Sequence, residues 1–251
     1  MPIKKVYLLK EFNNKKLSQN KKFKIFIIAG ELSGDILGEG LINQLKKLSQ
    51  NKIEIYGVGG AKMIAQGLKP IFNIKSLSIM GIFEVLLKIP SIFMLLKLAK
   101  NKIIEINPDI VITIDAPGFN LRLQNSIKDL KIKQIHYVAP SVWAWKSYRA
   151  KKIAKFLDHL LVLFPFEKKL FLKEGLNTTF VGHPIAFDNK FINNKYYTEK
   201  SLNNKAITKI AMLPGSRLGE IENLMPVFIK SAILLNKDYK AIKFYVVTLK
   251  E

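Results

Sequence analysis

Short apolar runs alternate with amphipathic stretches along most of this chain. Because apolar strands that alternate with helices usually form a parallel sheet covered on both faces, the pattern predicts an α/β fold with a doubly wound sheet. The predicted strands are Phe23–Ala29, Ile53–Val58, Asp109–Ile114, Gln134–Val138, His159–Phe164 and Thr178–Val181. The predicted helices cover about 35–48, Leu121–Leu130, Lys146–Phe156 and Phe166–Lys173.

The alternation breaks between His183 and Ile207, where clusters of Asn and Lys replace the apolar periodicity. A new strand–helix–strand pattern follows, but one such unit is too small for a doubly wound domain. The sequence therefore predicts a first domain over 23–184, a linker over 185–206 and the start of a second, incomplete domain over 207–251. Residues 1–22 are rich in Lys and Asn, which predicts a disordered basic extension rather than a secretory signal.

The segment Met80–Leu98 is the longest apolar stretch of the chain, and three interpretations of it stay open. A membrane span is disfavoured by three charged residues and by Pro90, which would break or kink a helix. A buried pair of helices is one alternative. The other is an apolar surface that enters a membrane interface while its lysines stay at the headgroups. The membrane-facing candidates are Ile82, Phe83, Leu86, Ile92, Phe93 and Leu96.

The charge balance is strongly basic, with a formal net charge of +22 among 251 residues. Only three of the 41 basic residues are arginine (Arg122, Arg149 and Arg217). Nucleic-acid-binding proteins favour arginine, because its guanidinium makes bidentate hydrogen bonds to phosphates and base edges. We therefore expect no nucleic-acid partner. The charge is typical of a solvated lysine surface, and the alternative is attraction to an anionic membrane surface or lipid. The chain has no cysteine, and its three histidines are far apart in sequence, so we expect no thiolate or metal site.

Two loops that follow predicted strands carry groups suited to chemistry. In the loop after Ala29, Gly30 and Gly34 permit close backbone approach, Ser33 offers a hydroxyl, and Asp35 can cap the following helix. The alternative is a capped turn that binds no ligand. This loop lacks the GxGxxG fingerprint, so nicotinamide dinucleotides are disfavoured. The second loop begins with Asp115, which can act as a general base at the end of a strand or merely cap a helix.

Three further loops have both a functional and a purely structural interpretation. The loop Tyr137–Trp145 contains both tryptophans, which can contact a sugar or an acyl chain or simply fill the core. His183 can bind substrate or close a turn. The turn Leu213–Arg217 lies between a predicted strand and a helix, where backbone N–H groups and a guanidinium can bind phosphate; the alternative is an ordinary turn.

Taken together, these blocks resemble the lipid-A-disaccharide synthase family, in its order and spacing, across nearly all of the chain after Ile25. The blocks that carry the resemblance are AGELSGDILGEGLI (Ala29–Ile42), MGIFEVL (Met80–Leu86), IDAPGFN (Ile114–Asn120), IHYVAPSVWAWK (Ile135–Lys146), FPFEK (Phe164–Lys168), FVGHP (Phe180–Pro184) and LPGSRLGEI (Leu213–Ile221).

The resemblance implies an inverting glycosyltransferase with two Rossmann-like domains, the GT-B arrangement, that needs no cofactor. Its implied substrates are UDP-2,3-diacylglucosamine and 2,3-diacylglucosamine 1-phosphate, joined at the cytoplasmic face of the inner membrane. By position, Asp115 matches the proposed base, and Gly215, Ser216 and Arg217 match the group that neutralises the donor phosphates. The remaining substrate-binding candidates are Glu31, Ser33, Gly34, Asn120, Ser141, Trp143 and His183.

Two departures from the family pattern are visible in the sequence. Many members carry a second acid where this chain has Gly118, and members continue well beyond the equivalent of Glu251. One alternative interpretation is therefore a catalytically inactive, truncated remnant that still binds lipid or membrane. Another is a GT-B relative that acts on a different UDP-sugar, which the apolar segment and the tryptophan block disfavour.

Overall fold

The computed structural model describes residues 22–77, 82–141, 148–187, 207–215, 218–239 and 241–247, with residues 82–89 described as backbone only. The chain divides into two compact units. Residues 22–77 and 88–187 lie in the first unit, whereas residues 82–87 and the described residues after 206 lie in the second.

The first unit is built on a parallel sheet of seven strands in the order β3-β2-β1-β4-β5-β6-β7. Strand order reverses between β1 and β4, which is where doubly wound sheets bind their ligands. The strands are β1 (Phe23–Ala29), β2 (Ile53–Val58), β3 (Leu68–Pro70), β4 (Ile110–Ile114), β5 (Lys133–Tyr137), β6 (His159–Val162) and β7 (Thr178–Phe180). The helices are α1 (Leu32–Leu48), α2 (Ala61–Ala65), α3 (Ile82–Ile106), α4 (Pro117–Ser126), α5 (Tyr148–Ile153) and α6 (Pro165–Lys173). Only residues 88–106 of α3 belong to the first unit.

The core of this unit lies against both faces of its central strands. Every residue of β4 is buried, and so are six of the seven in β1. Such runs without alternation are expected where helices cover both faces of a parallel sheet. The pattern of apolar residues therefore predicted the α/β class and these strands correctly, to within one or two residues at their ends.

Among the described α-helices and strands, two short elements were missed by the sequence analysis, namely α2 and β3. The helix has five residues and the strand three, which is too short for either periodicity to register. Both lie on the loop between β2 and α3, at the sheet edge farthest from β7.

The apolar segment Met80–Leu98 contributes to one helix, α3, which continues through Pro90. The interpretation as a pair of helices divided at Pro90 is therefore wrong. Within the described part of the chain, no helix has the length and apolarity needed to cross a membrane. Ile92 and Leu96 are half-buried against the core, whereas Phe93 is exposed. The side chains of Ile82, Phe83 and Leu86 lie outside the described set.

After residue 206, the described part of the second unit is one strand–helix–strand motif. Strands β8 (Thr208–Met212) and β9 (Ile242–Val246) pair in parallel, and helix α7 (Leu218–Asp238) connects them. Within this described part no residue of α7 is buried, and an apolar cavity of about 300 Å³ opens between helix and strands. Its lining includes Met212, Phe228, Leu235 and Phe244.

Candidate active site at the carboxyl edge of the first sheet

The loops after β1 and β4 lie side by side at the point where strand order reverses. Ala29 pairs with Ile114 in the sheet register, so both strands end at the same level. The backbone N–H of Gly30 donates to the carbonyl of Ile114 at 3.4 Å. The topology therefore brings together two of the loops that the sequence analysis selected.

The turn after β4 has an unusual backbone conformation. Asp115 and Ala116 have φ angles of 54° and 43°, in the left-handed region that residues with a Cβ avoid. Pro117 then opens helix α4. The N–H of Asp115 donates to the carbonyl of Tyr137 at 2.9 Å, which ties the turn to β5. Left-handed backbone in non-glycine residues is concentrated at functional sites, where surrounding contacts hold it in place.

The Asp115 carboxylate lies at this turn and is partly exposed. The Ser33 hydroxyl, from the first turn of α1, donates to Oδ2 of Asp115 across a long 3.4 Å. One carboxylate within reach of solvent and oriented by a hydroxyl is able to accept a proton from a bound substrate.

Asn120 is fully buried beneath the turn. Its Nδ2 donates to the carbonyls of Ile114 at 3.1 Å and of Asp115 at 2.7 Å. The Asn120 amide is therefore bonded to the backbone that carries Asp115.

The glycines of the first loop serve close packing. A Cβ on Gly30 would overlap the Cβ of Ala116 in the adjacent turn. A Cβ on Gly34 would lie 3.2 Å from the Cβ of Ala29. Gly30 and Gly34 thus allow helix α1 and its loop to approach β1 and the Asp115 turn.

Asp35 has a different partner from the one that the sequence predicted. The helix starts at Leu32, so Asp35 lies inside its first turn and is buried. Its carboxylate accepts the backbone N–H groups of Gly60, Lys62 and Met63 at 2.8, 3.1 and 3.0 Å. Asp35 therefore caps α2 rather than its own helix, a contact across 25 residues to which no local pattern points.

The other described candidates follow strands of the same sheet at their carboxyl ends. Glu31 is partly exposed just before α1, and Ser141 is exposed after β5. His183 follows β7, and its Nδ1 accepts the N–H of Ile185 at 3.3 Å, so it closes a turn. Trp143 lies outside the described residues.

A buried polar pair under the site was not selected by the sequence analysis. Thr113 and His136 face each other across β4 and β5, with Oγ1 and Nδ1 2.6 Å apart. Burial lowers the pKa of His136 to about 3, opposed only in part by the Val138 backbone, so the imidazole is neutral. In the sequence, the only sign of this pair was a histidine within an apolar strand.

In the second unit, the predicted phosphate loop leads from β8 towards the start of α7. Gly215 has a φ of 110°, which a residue with a side chain adopts rarely, and the Glu220 carboxylate fills the space beside it. Ser216 and Arg217 lie outside the described residues. Among the residues that the structure describes, no group of three His, Cys, Asp or Glu side chains could hold a metal ion.

Solved structures define the class of fold. The chain is similar to a putative UDP-N-acetylglucosamine 2-epimerase from Listeria monocytogenes, with a TM-score of 0.60 at 12% identity, covering 92% of this chain and 63% of that one. It is also similar to the S. aureus MnaA-UDP co-structure, with a TM-score of 0.59 at 16% identity, covering 91% and 63%. The fold is the GT-B type with Rossmann-like parallel sheets, as the sequence predicted.

Sequence relatives then define the family. The model described as lipid-A-disaccharide synthetase matches residues 25–251, so this chain belongs to that family. Lipid-A-disaccharide synthase of Psychromonas ingrahamii is 45% identical over 228 residues, covering 90% of this chain and 60% of the relative. The enzyme of Idiomarina loihiensis is 43% identical over 232 residues, covering 91% and 60%. The chain thus spans about 60% of the length of these relatives.

Proposed function

We propose that this chain carries the acceptor-activating half of a lipid-A-disaccharide synthase. The reaction would join UDP-2,3-diacylglucosamine to 2,3-diacylglucosamine 1-phosphate, giving the β-1,6-linked disaccharide 1-phosphate and UDP. The observation that carries the proposal is the partly exposed Asp115 carboxylate, held on a left-handed turn where strand order reverses. That turn lies in a chain of the matching family.

In the proposed chemistry, Asp115 removes the proton from the 6-hydroxyl of the acceptor. The freed oxygen attacks the anomeric carbon of the donor from the face opposite the diphosphate, and the bond to UDP breaks with inversion. A positioned base contributes roughly two to four orders of magnitude to such a step. The Ser33 hydroxyl keeps Oδ2 of Asp115 oriented towards the loop after β1.

The leaving diphosphate needs positive charge on the other side of the donor. We assign this role to Arg217 with the backbone of Gly215 and Ser216. Two observations support it: Gly215 lies three residues before α7, whose N-terminus favours anions, and a structural neighbour of this fold is a complex with UDP. Glu31, Ser141, Trp143 and His183 remain proposed substrate contacts.

We propose that the protein is peripheral on the inner face of the inner membrane. On the described part of α3, Phe93 and Met94 are 61% and 66% exposed, and Lys97 is exposed one turn later. Exposed apolar side chains beside a lysine suit an interface with anionic lipid. Ile92 and Leu96, expected at that interface, are half-buried against the core instead.

The test is a disaccharide-forming assay with both acylated substrates, free of any host synthase. It uses the whole chain and a chimera in which residues 1–251 are followed by the remaining two-fifths of the Psychromonas ingrahamii enzyme. The expected result is disaccharide from the chimera, and a loss of roughly two to four orders of magnitude in kcat with Asp115→Asn. This change removes the base while keeping the size of the side chain. A chimera that binds UDP but forms no disaccharide, or near-normal turnover with Asp115→Asn, would contradict the proposal.

A further inference from the structure

We propose that Asn120 is a positioning residue that holds the Asp115–Ala116 turn in its left-handed conformation and so fixes the Asp115 carboxylate. This inference rests on the proposed role of Asp115 as the base. It changes the role of Asn120, which the sequence analysis treated as a substrate contact.

The turn needs support because two successive residues with side chains occupy left-handed backbone. For each of them, the Cβ comes close to the following carbonyl oxygen, so the conformation is disfavoured without compensating contacts. Relaxation of either residue would rotate the peptide groups on both sides of Asp115. The carboxylate would then leave the position from which it reaches the acceptor.

Asn120 supplies such contacts from below. Its side-chain Nδ2 uses both hydrogens, one for the carbonyl of Ile114 and one for that of Asp115. Its backbone N–H donates to the carbonyl of Ala116 at 3.0 Å. One residue therefore binds the carbonyls of three successive residues, two of which form the left-handed pair.

The burial of Asn120 separates this role from substrate binding. The side chain has no exposed surface, and Nδ2 is already bonded to two backbone acceptors. A group with that environment acts on substrate only through the residue it holds. Loss of its amide is therefore expected to lower kcat and to leave KM nearly unchanged.

Gly30 also constrains the position of the Asp115–Ala116 turn. A Cβ on Gly30 would overlap the Cβ of Ala116, so the absence of a side chain at Gly30 is what lets Ala116 occupy this place. This contact provides an independent way to displace the turn without altering Asn120. Removal of the Ala116 side chain would make room again.

The main test is a double-mutant cycle in the chimera, with the whole chain assayed beside it. Asn120→Asp keeps the size of the side chain but replaces a donor of two hydrogen bonds by an acceptor. We expect a fall in kcat of about 10- to 100-fold, because small misplacements of a reacting group cost this much. KM should stay within about twofold. In the Asp115→Asn background, Asn120→Asp should cost almost nothing further, since there is no base left to position.

The control is Gly118→Ala, on the same helix at an exposed site where a Cβ meets no atom within 4 Å. It should retain normal kcat. A second set of variants tests the contact between Gly30 and Ala116. Gly30→Ala should lower kcat by at least about tenfold. Adding Ala116→Gly to Gly30→Ala should restore most of that loss. This set tests the turn even if Asn120→Asp fails to fold.

The outcomes distinguish this inference from the function on which it rests. If Asp115→Asn retains turnover, the proposed base is wrong. If Asp115→Asn is inactive but Asn120→Asp keeps normal kcat, Asp115 remains the base and the positioning role is overturned. Equal losses from Asn120→Asp with and without the Asp115 carboxylate would also overturn it, and so would a failure of Ala116→Gly to rescue Gly30→Ala.

Discussion

At the scale of single residues, the polar groups of the first unit divide by where they lie along the strands. Asp115 and Ser33 lie just beyond the strand ends, where a substrate can reach them. Thr113 and His136 lie one step inside, paired with each other and fully buried. Burial of the neutral His136 links the stability of the fold to pH, because its imidazole binds a proton more readily in the unfolded chain than in the folded one.

His136 is expected to make the protein less stable as the pH falls. Its pKa is about 3 when folded and 6.5 when exposed, so its contribution is complete above pH 6.5 and is lost progressively towards pH 3. Within this window, one proton changes the free energy of unfolding by up to about 1.4 kcal/mol per pH unit. Urea unfolding between pH 4 and 7 should therefore show a flatter pH dependence for His136→Gln than for the wild type. His183→Gln is the surface control, and equal slopes in all three proteins would contradict this account.

At the scale of elements, contacts between residues far apart in the sequence hold the loops of the first unit in place. The short helix α2 has one such contact, because three backbone N–H groups at its N-terminus donate to the buried carboxylate of Asp35. Buried donors left without an acceptor are costly, so this one residue fixes the path of the chain after β2.

Asp35→Ala is expected to lower the free energy of unfolding of the first unit by about 2–3 kcal/mol, since a charged acceptor for three backbone donors is lost. Asp35→Asn keeps one acceptor oxygen and should cost clearly less. Urea unfolding followed by circular dichroism measures both. A loss below about 0.5 kcal/mol for Asp35→Ala would mean that water replaces the carboxylate without penalty.

Helix α3 should attach the protein to membranes without crossing them. Phe93→Asp places a charge on its exposed apolar surface and should reduce co-sedimentation with anionic vesicles at least about fivefold, because burying a charge at the interface is unfavourable. Ile104→Asp is the matched control: Ile104 is 51% exposed and lies near the C-terminal end of the same helix, about three turns after Phe93. Equal effects of the two changes would mean that charge alone, rather than this surface, governs binding. Added salt should weaken the binding of the wild type as well.

At the scale of the whole molecule, the proposed donor site depends on a unit in which the described residues after 206 form one strand–helix–strand motif. The chain covers about 60% of its relatives, and the described second sheet has two strands. A ligand pocket normally buries most of the surface of its ligand, whereas a single strand–helix–strand motif contacts the ligand on one side only.

We therefore expect the chain by itself to bind UDP at least about tenfold more weakly than the Psychromonas ingrahamii enzyme, and to form little or no disaccharide. Isothermal titration with UDP measures the first quantity, and the disaccharide assay measures the second. Turnover by residues 1–251 at the rate of that relative would show that the remaining two-fifths are dispensable.

The sequence predicted what is repeated along the chain and missed what is made by single distant contacts. Uninterrupted apolar runs such as β4 are visible in any short stretch of sequence. The parallel sheet and the alternation of strands and helices could therefore be predicted. The turn at Asp115 could be located but not its left-handed backbone, since Asp-Ala-Pro does not specify a positive φ. The partner of Asp35 lies 25 residues away, and the space between Gly30 and Ala116 exists only once two strands are paired.

Helix α7, with no buried residue, has a consequence for any measurement of stability on this chain. Helix α1 buries five residues and shares the cooperative unfolding of its sheet, whereas α7 has almost nothing to lose by opening alone. Its amide hydrogens should exchange with solvent many orders of magnitude faster than those of β4. A single melting temperature would then describe the first unit only, and a two-state free energy for the whole chain would not be a defined quantity.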